Sequence, residues 1–167
     1  MLATFCNLRT FGGIIVDLYG LRATFLLICS LIIMTVHLVL GLTYMDPLVP
    51  LIFLGLSYSM YGVAIWPSIA TIAEHEENVL ERKSSSDSHP KLVGTAFGIS
   101  QSALNIALTI FPIVSAGIRV EWGSFVAVEV FFAGLAFLGA LASLLLWYLD
   151  LKNESILQMP EISKKVE

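Results

Sequence analysis

Four long stretches of the chain carry almost no charge, and the charged residues gather in the gaps between them. A helix needs roughly 20 apolar residues, at about 1.5 Å of rise each, to cross a hydrocarbon core about 30 Å thick. The pattern therefore predicts four transmembrane helices, at 23–44, 48–73, 92–118 and 124–149. The same pattern predicts a cytosolic segment at the end of 1–22, a disordered cytosolic loop at 74–91 and a cytosolic tail at 150–167.

Composition favours an all-α membrane protein in a lipid bilayer over a soluble domain. Apolar residues make up 57% of the chain and charged residues 13%, and the mean hydropathy is +0.85. In a soluble protein, four such helices would leave almost no amphipathic surface to cover a core. There is no basic stripe interleaved with aromatic residues, so we expect no nucleic-acid partner.

The chain shows no signature of an enzyme or of a bound cofactor. His75 and Glu76 begin a pattern that is typical of zinc-binding helices. Val79 stands where the second histidine of that pattern is required. We therefore expect no catalysis, no metal and no cofactor.

Lysine and arginine are distributed unevenly between the two sides of the predicted bundle. One side holds Arg9, Arg22, Arg82, Lys83, Lys91, Lys152, Lys164 and Lys165, and the other side holds Arg119. Cytosolic loops of membrane proteins carry an excess of these residues. Both termini and the middle loop are therefore predicted to be cytosolic.

A motif of small and charged residues precedes the first predicted span. Gly13, Asp17, Gly20 and Arg22 lie in a short link between an apolar N-terminal segment and that span. The first glycine allows close helix approach, the carboxylate suits a nearby helix N-terminus, the second glycine permits a tight turn, and the arginine anchors the next helix. The apolar segment before the motif is either a surface helix or the end of a helix that starts earlier.

This motif resembles the signature loop of the major facilitator superfamily, although Leu18 replaces the basic residue that usually follows the aspartate. Other motifs resemble its branch of lysosomal dipeptide transporters: 55–59 (Gly-Leu-Ser-Tyr-Ser), 64–67 (Ala-Ile-Trp-Pro), 74–75 (Glu-His), and 94–98 (Gly-Thr-Ala-Phe-Gly) with 101–102 (Gln-Ser) and Asn105. The resemblance implies the latter part of the C-terminal six-helix half, from the end of helix 8 through helix 12.

The resemblance also implies a function and a set of partners. It implies export of a small peptide from the lysosome by alternating access. The implied partners are the N-terminal half of the same transporter and a glycosylated accessory membrane subunit. Because charged anchors for the substrate would lie in that N-terminal half, we expect this chain alone to be inactive.

Candidate cavity residues lie on the second predicted span. Ser57 and Tyr61 share a helical stripe with two further small residues, and Tyr58 and Trp66 flank that stripe. Pro67 removes a backbone donor and predicts a kink, to which the resemblance assigns a role in gating. The alternative for the stripe is ordinary packing of small residues.

The third predicted span offers a pair of amides, Gln101 and Asn105, one turn apart. Amides suit the N–H and C=O groups of a peptide substrate. The alternative is hydrogen bonding between helices.

Two ionisable residues, His37 and Glu129, lie inside otherwise charge-free spans. Both are candidates for proton coupling. The alternatives are a packed histidine and a glutamate that reaches the interface or pairs with Arg119.

A second function remains open from the sequence: a non-transporting four-helix membrane protein that acts as an assembly or interaction partner.

Overall fold

Long helices make up nearly all of the described chain. The computed structural model describes residues 20–83, 92–152 and 157–158. Its helices are α1 (Arg22–Leu42), α2 (Leu48–Lys83), α3 (Leu92–Trp122) and α4 (Phe125–Lys152). Each is long and apolar enough to cross a membrane. The predicted class, an all-α membrane protein, is therefore confirmed.

The connections are too short for anything but antiparallel neighbours. Residues 43–47 join α1 to α2, and residues 123–124 join α3 to α4. Gly123 has a positive φ of 62°, a conformation that costs glycine little. Asp46 Oδ1 accepts a hydrogen bond of 3.0 Å from the Leu48 N–H at the start of α2. We call the end of the bundle that holds these two connections the far end, and the opposite end the near end.

Helix α1 lies at the centre of the packing. It contacts α4 most extensively and α2 next, whereas α3 contacts α2 and α4 less. The buried positions in these contacts are mostly small: Ala23, Ser30, Ser57, Ala64, Ser68, Ala133, Ala140 and Ser143. Small side chains let helix backbones approach closely, which is how membrane helices gain packing energy without a hydrophobic driving force.

Helix α3 lies at the outside of this arrangement. None of its residues is buried. Its cross-helix ring contacts are the stack of Phe97 on Trp66 of α2 and the edge contact of Phe111 with Phe131 of α4. One long apolar helix therefore exposes most of its surface to whatever surrounds the bundle.

The helices do not end where the apolar stretches end. Helix α2 continues through Lys83, so residues 74–83 of the predicted disordered loop are helical, and residues 84–91 lie outside the described part. Helix α3 likewise runs on to Trp122 and α4 to Lys152. The reason is that hydropathy marks the edge of the membrane, whereas Glu, Leu, Arg and Lys are good helix formers in water. Helix α1 ends earlier than predicted, because Thr43 is extended.

Candidate functional site

The small-residue stripe of α2 is a packed face. Ser57, Ala64 and Ser68 are 5%, 0% and 2% exposed. The stripe is buried where α2 packs in the bundle, and α1 is the helix that α2 contacts most extensively. The Ser68 hydroxyl donates to the Ala64 carbonyl at 2.7 Å and needs no partner across the interface. This geometry favours the packing interpretation for Ser57.

The other cavity candidates lie along α2 and α3 at corresponding depths. Trp66 stacks on Phe97 with ring centroids 5.8 Å apart, which aligns the two antiparallel helices at that point. Eight residues, about 12 Å, separate Trp66 from Tyr58 and also separate Phe97 from Asn105. Tyr58 is 67% exposed, and Gln101 and Asn105 are at least partly exposed as well. The stack thus places a phenol and two amides inside the predicted spans, outside the packed core.

Pro67 lies inside α2, directly after Trp66. A proline lacks an N–H group, so the carbonyl one turn earlier loses its usual helical donor. Helix α2 nevertheless continues on both sides of Pro67 from Leu48 to Lys83. Any gating role of Pro67 stays a prediction.

The structure joins the two ionisable residues of the spans. His37 Nδ1 of α1 lies 2.7 Å from Glu129 Oε2 of α4. The two side chains are only 15% and 25% exposed. The imidazole also stacks on Phe132 of α4, with centroids 5.5 Å apart and planes at 26°. Two groups that the sequence offered as separate candidates therefore form one site.

Arg119 makes a different contact from the one that the sequence suggested. Its guanidinium carbon lies 4.0 Å from the centre of the Phe125 ring. Phe125 precedes Glu129 by one turn of α4. Among the described residues, the hydrogen-bond partner of Glu129 is His37, and Arg119 instead lies on the Phe125 ring. The sequence could have suggested this pairing through the depth of the two residues in the membrane. His37 and Glu129 both lie about a turn and a half or less from the far ends of two antiparallel helices.

Half of the signature motif falls outside the described residues, namely Gly13 and Asp17. Gly20 and Leu21 have φ of 68° and 52°, so the chain turns sharply before α1. Arg22 is 1% exposed, and its Nη1 donates to Thr71 Oγ1 of α2 at 2.7 Å.

The C-terminal segment meets the start of α1 at the same place. The Arg22 N–H donates to the Leu157 carbonyl at 3.1 Å. The Leu157 N–H in turn donates to Asp150 Oδ1 of α4 at 2.9 Å. Sequence reasoning missed Thr71, Asp150 and Leu157, because no local pattern marks a contact between residues so far apart along the chain.

An open groove of about 500 Å³ lies between α1 and the far end of α2. Its lining is apolar except for Thr35, and it includes Ile28, Val39 and Phe53. Ligand sites for polar molecules need convergent polar groups, so this groove does not suit a zwitterionic peptide. Among the described residues, no three His, Cys, Asp or Glu side chains gather in a way that would hold a metal ion.

The chain is similar to curated transporters from several vertebrates. It is 30% identical over 139 residues to the lysosomal dipeptide transporter MFSD1 of Homo sapiens, covering 83% of this chain and 26% of the relative. It is 27% identical over 139 residues to that of Gallus gallus (83% and 28%). With the Danio rerio protein it shares 28% over 148 residues (88% and 28%).

The chain spans about a quarter of the length of these relatives. No protein-family model matches it, and no solved structure matches it. The similarities confirm the resemblance found in the sequence: most of this chain resembles one part of a lysosomal dipeptide transporter of the major facilitator superfamily.

Proposed function

We propose that this chain forms part of a membrane transporter that exports dipeptides from lysosomes by alternating access. The observation that carries the proposal is the amide pair of α3, Gln101 and Asn105, outside the packed core at mid-helix. Polar groups at that depth are costly in lipid, so they favour a site covered by protein or lining a water-filled path. The relatives are dipeptide transporters by name, and a dipeptide is a substrate that amides can bind.

The chain supplies mainly neutral groups to such a path. In the described residues, the ionisable groups near mid-membrane on α2 and α3 are Tyr58 and Tyr61. A dipeptide carries a charge at each terminus, and burying an unpaired charge is strongly unfavourable. The charged partners would therefore come from the N-terminal half of the transporter, which packs on the open side of α3. This chain alone then binds and moves no substrate.

A chimeric transporter tests the proposal. The corresponding part of the human relative is replaced by this chain, and uptake of a labelled dipeptide is measured in proteoliposomes. The chimera is expected to transport, and the isolated chain is not. A chimera that folds and reaches the membrane yet never transports would contradict the assignment.

The amide pair can be tested in the same chimera. Gln101→Leu with Asn105→Leu removes two substrate hydrogen bonds, each worth about 0.5–1.5 kcal/mol. We expect dipeptide uptake at low substrate to fall roughly tenfold or more. The matched control is Ile106→Ala, an exposed apolar position on α3, which should transport normally. Equal activity of the amide variant and this control would reject the cavity role.

A non-transporting assembly protein is the competing function. The exposure of α3 fits a partner surface equally well, but the similarity to transporters does not suggest that role. The chimera separates the two, because an assembly protein would not restore transport.

A further inference from the structure

We propose that His37 and Glu129 form a proton-binding latch that fastens α1 to α4 more strongly at acidic pH than at neutral pH. The latch is the hydrogen-bonded pair itself, at 2.7 Å. It joins the two helices that share the most extensive contact in the described part of the bundle.

The surroundings of the pair are shaped to hold it. On one side the imidazole lies against the Phe132 ring, which fixes the plane of the ring. On the other side Gly41, one turn after His37, leaves room for the glutamate. A Cβ at position 41 would lie 3.0 Å from Glu129 Cβ and 3.7 Å from the Val126 carbonyl oxygen. Glycine at this position therefore lets α1 and α4 approach closely enough for the hydrogen bond.

Among the described residues near the pair, the histidine is the one whose residue type changes charge between pH 5 and 8. The other ionisable side chains that lie in the far halves of the described helices or in their connections are Tyr44, Asp46, Tyr58, Tyr61, Arg119 and Glu121. Of these, Arg119 lies on the Phe125 ring and stays charged throughout that range. The pH response of the pair is therefore assigned to His37.

The direction of the response follows from the two forms of the imidazole. When His37 carries its second proton, the contact is a hydrogen bond between a cation and a carboxylate. The positive charge of the imidazolium then attracts the carboxylate in addition to the hydrogen bond itself. As the pH rises and the proton leaves, the imidazole is neutral and the extra attraction is lost. The latch is strongest on the acidic side.

A latch suits these residues better than a relay that carries protons across the membrane. A relay needs its group to face each side in turn, whereas His37 and Glu129 lie between the two most closely packed helices. Both residues are near the far end, which the charge distribution assigns to the lumen. In an acidic lumen, α1 and α4 would move as one rigid unit.

Thermal unfolding of the purified full chain in detergent tests the latch. Tm is measured at pH 5 and pH 8 for the wild type, His37→Gln, Glu129→Gln and the double variant. At pH 5 the coupling between the two sites should amount to a Tm difference of about 2–4 °C. At pH 8 the coupling should be smaller, because a neutral imidazole still donates to the carboxylate but no longer attracts it as a cation.

His75→Gln is the matched control, since His75 lies on α2 beyond the predicted span and at the near end. It should leave the pH-dependent coupling unchanged. Coupling that is equal at both pH values, or absent at pH 5, would overturn the proposal. If Glu129→Gln is not recovered folded, His37→Gln alone tests the proposal. The difference in Tm between pH 5 and pH 8 should then be smaller in His37→Gln than in the wild type, and an unchanged difference would overturn the proposal. No substrate is needed, so the outcome is independent of the transport proposal.

Discussion

Gly41 shows how one missing side chain allows a polar contact between two apolar helices. Most glycines of the described helices have open space where a Cβ would be, but Gly41 faces the Cβ of Glu129. That Cβ is attached directly to the backbone of α4, so it cannot swing away as the end of a flexible chain would. The pairing of His37 with Glu129 therefore depends on a residue that makes no hydrogen bond through a side chain.

Gly41→Ala is expected to destabilise the protein. The added methyl group would meet Glu129 Cβ at 3.0 Å and push α1 away from α4. Gly55→Ala is the matched control, since a methyl group added there would meet nothing within 4 Å. An alanine in a helix interior is favoured over glycine by about 0.5–1 kcal/mol. The Tm of Gly41→Ala should thus lie at least about 2–4 °C below that of Gly55→Ala, as measured by thermal unfolding in detergent. Equal Tm values for the two variants would show that α4 moves to accommodate the added methyl group at no cost in stability.

At the scale of elements, three helices and the C-terminal segment are tied together at the near end. Arg22 connects α1 to α2 through Thr71, and Leu157 connects the start of α1 to Asp150 of α4. Leu157 is 1% exposed and Asp150 is 8% exposed. The buried leucine places its backbone where it satisfies groups that a helix start would otherwise leave without partners.

Leu157→Ala is expected to loosen this junction. Replacing a fully buried leucine by alanine costs about 2–5 kcal/mol, and the backbone bonds to Arg22 and Asp150 weaken with it. Leu149→Ala is the control, because Leu149 is 43% exposed on α4 and should change stability little. The measurement is Tm together with the rate at which a protease removes the C-terminal segment. We expect the protease to remove the C-terminal segment faster from Leu157→Ala than from the wild type or from Leu149→Ala. Equal rates in all three would contradict the packing of Leu157 against the start of α1.

For the whole molecule, the unequal charges at the two ends of the bundle predict its orientation in the membrane. Among the described side chains, Arg22, Arg82 and Lys152 lie at the near end, and Arg119 lies at the far end. The surplus of positive charge at the near end matches the rule that places such residues in the cytosol. In that predicted orientation, the His37–Glu129 pair would lie toward the side opposite the cytosol.

Cysteine labelling tests this orientation. Glu81→Cys and Glu121→Cys place a thiol at positions on the near end and the far end, in a background where Cys6 and Cys29 are replaced by serine. A membrane-impermeant maleimide applied from the cytosolic side should label position 81 and not position 121. Labelling of position 121 alone from that side would show that the bundle is inverted.

Much of the fold follows from the sequence because a bilayer imposes one strong requirement. Every backbone polar group in hydrocarbon must be satisfied within the chain, so a long apolar stretch can hardly be anything but a helix. Helix count, class and the resemblance to a transporter superfamily therefore follow from local pattern and motifs. Helix ends do not, because residues 74–83 remain helical beyond the apolar stretch.

The partners of side chains across helices were decided only by the tertiary structure. Nothing local distinguishes the buried Ser57 from the exposed Tyr58, or assigns Glu129 to His37 and not to Arg119. Each of those outcomes depends on the rotation of one helix against another, which is set by small residues at the contacts. The apolar spans thus determined where the chain crosses the membrane. The close packing of α1 on α4 determined that two isolated ionisable groups became one site.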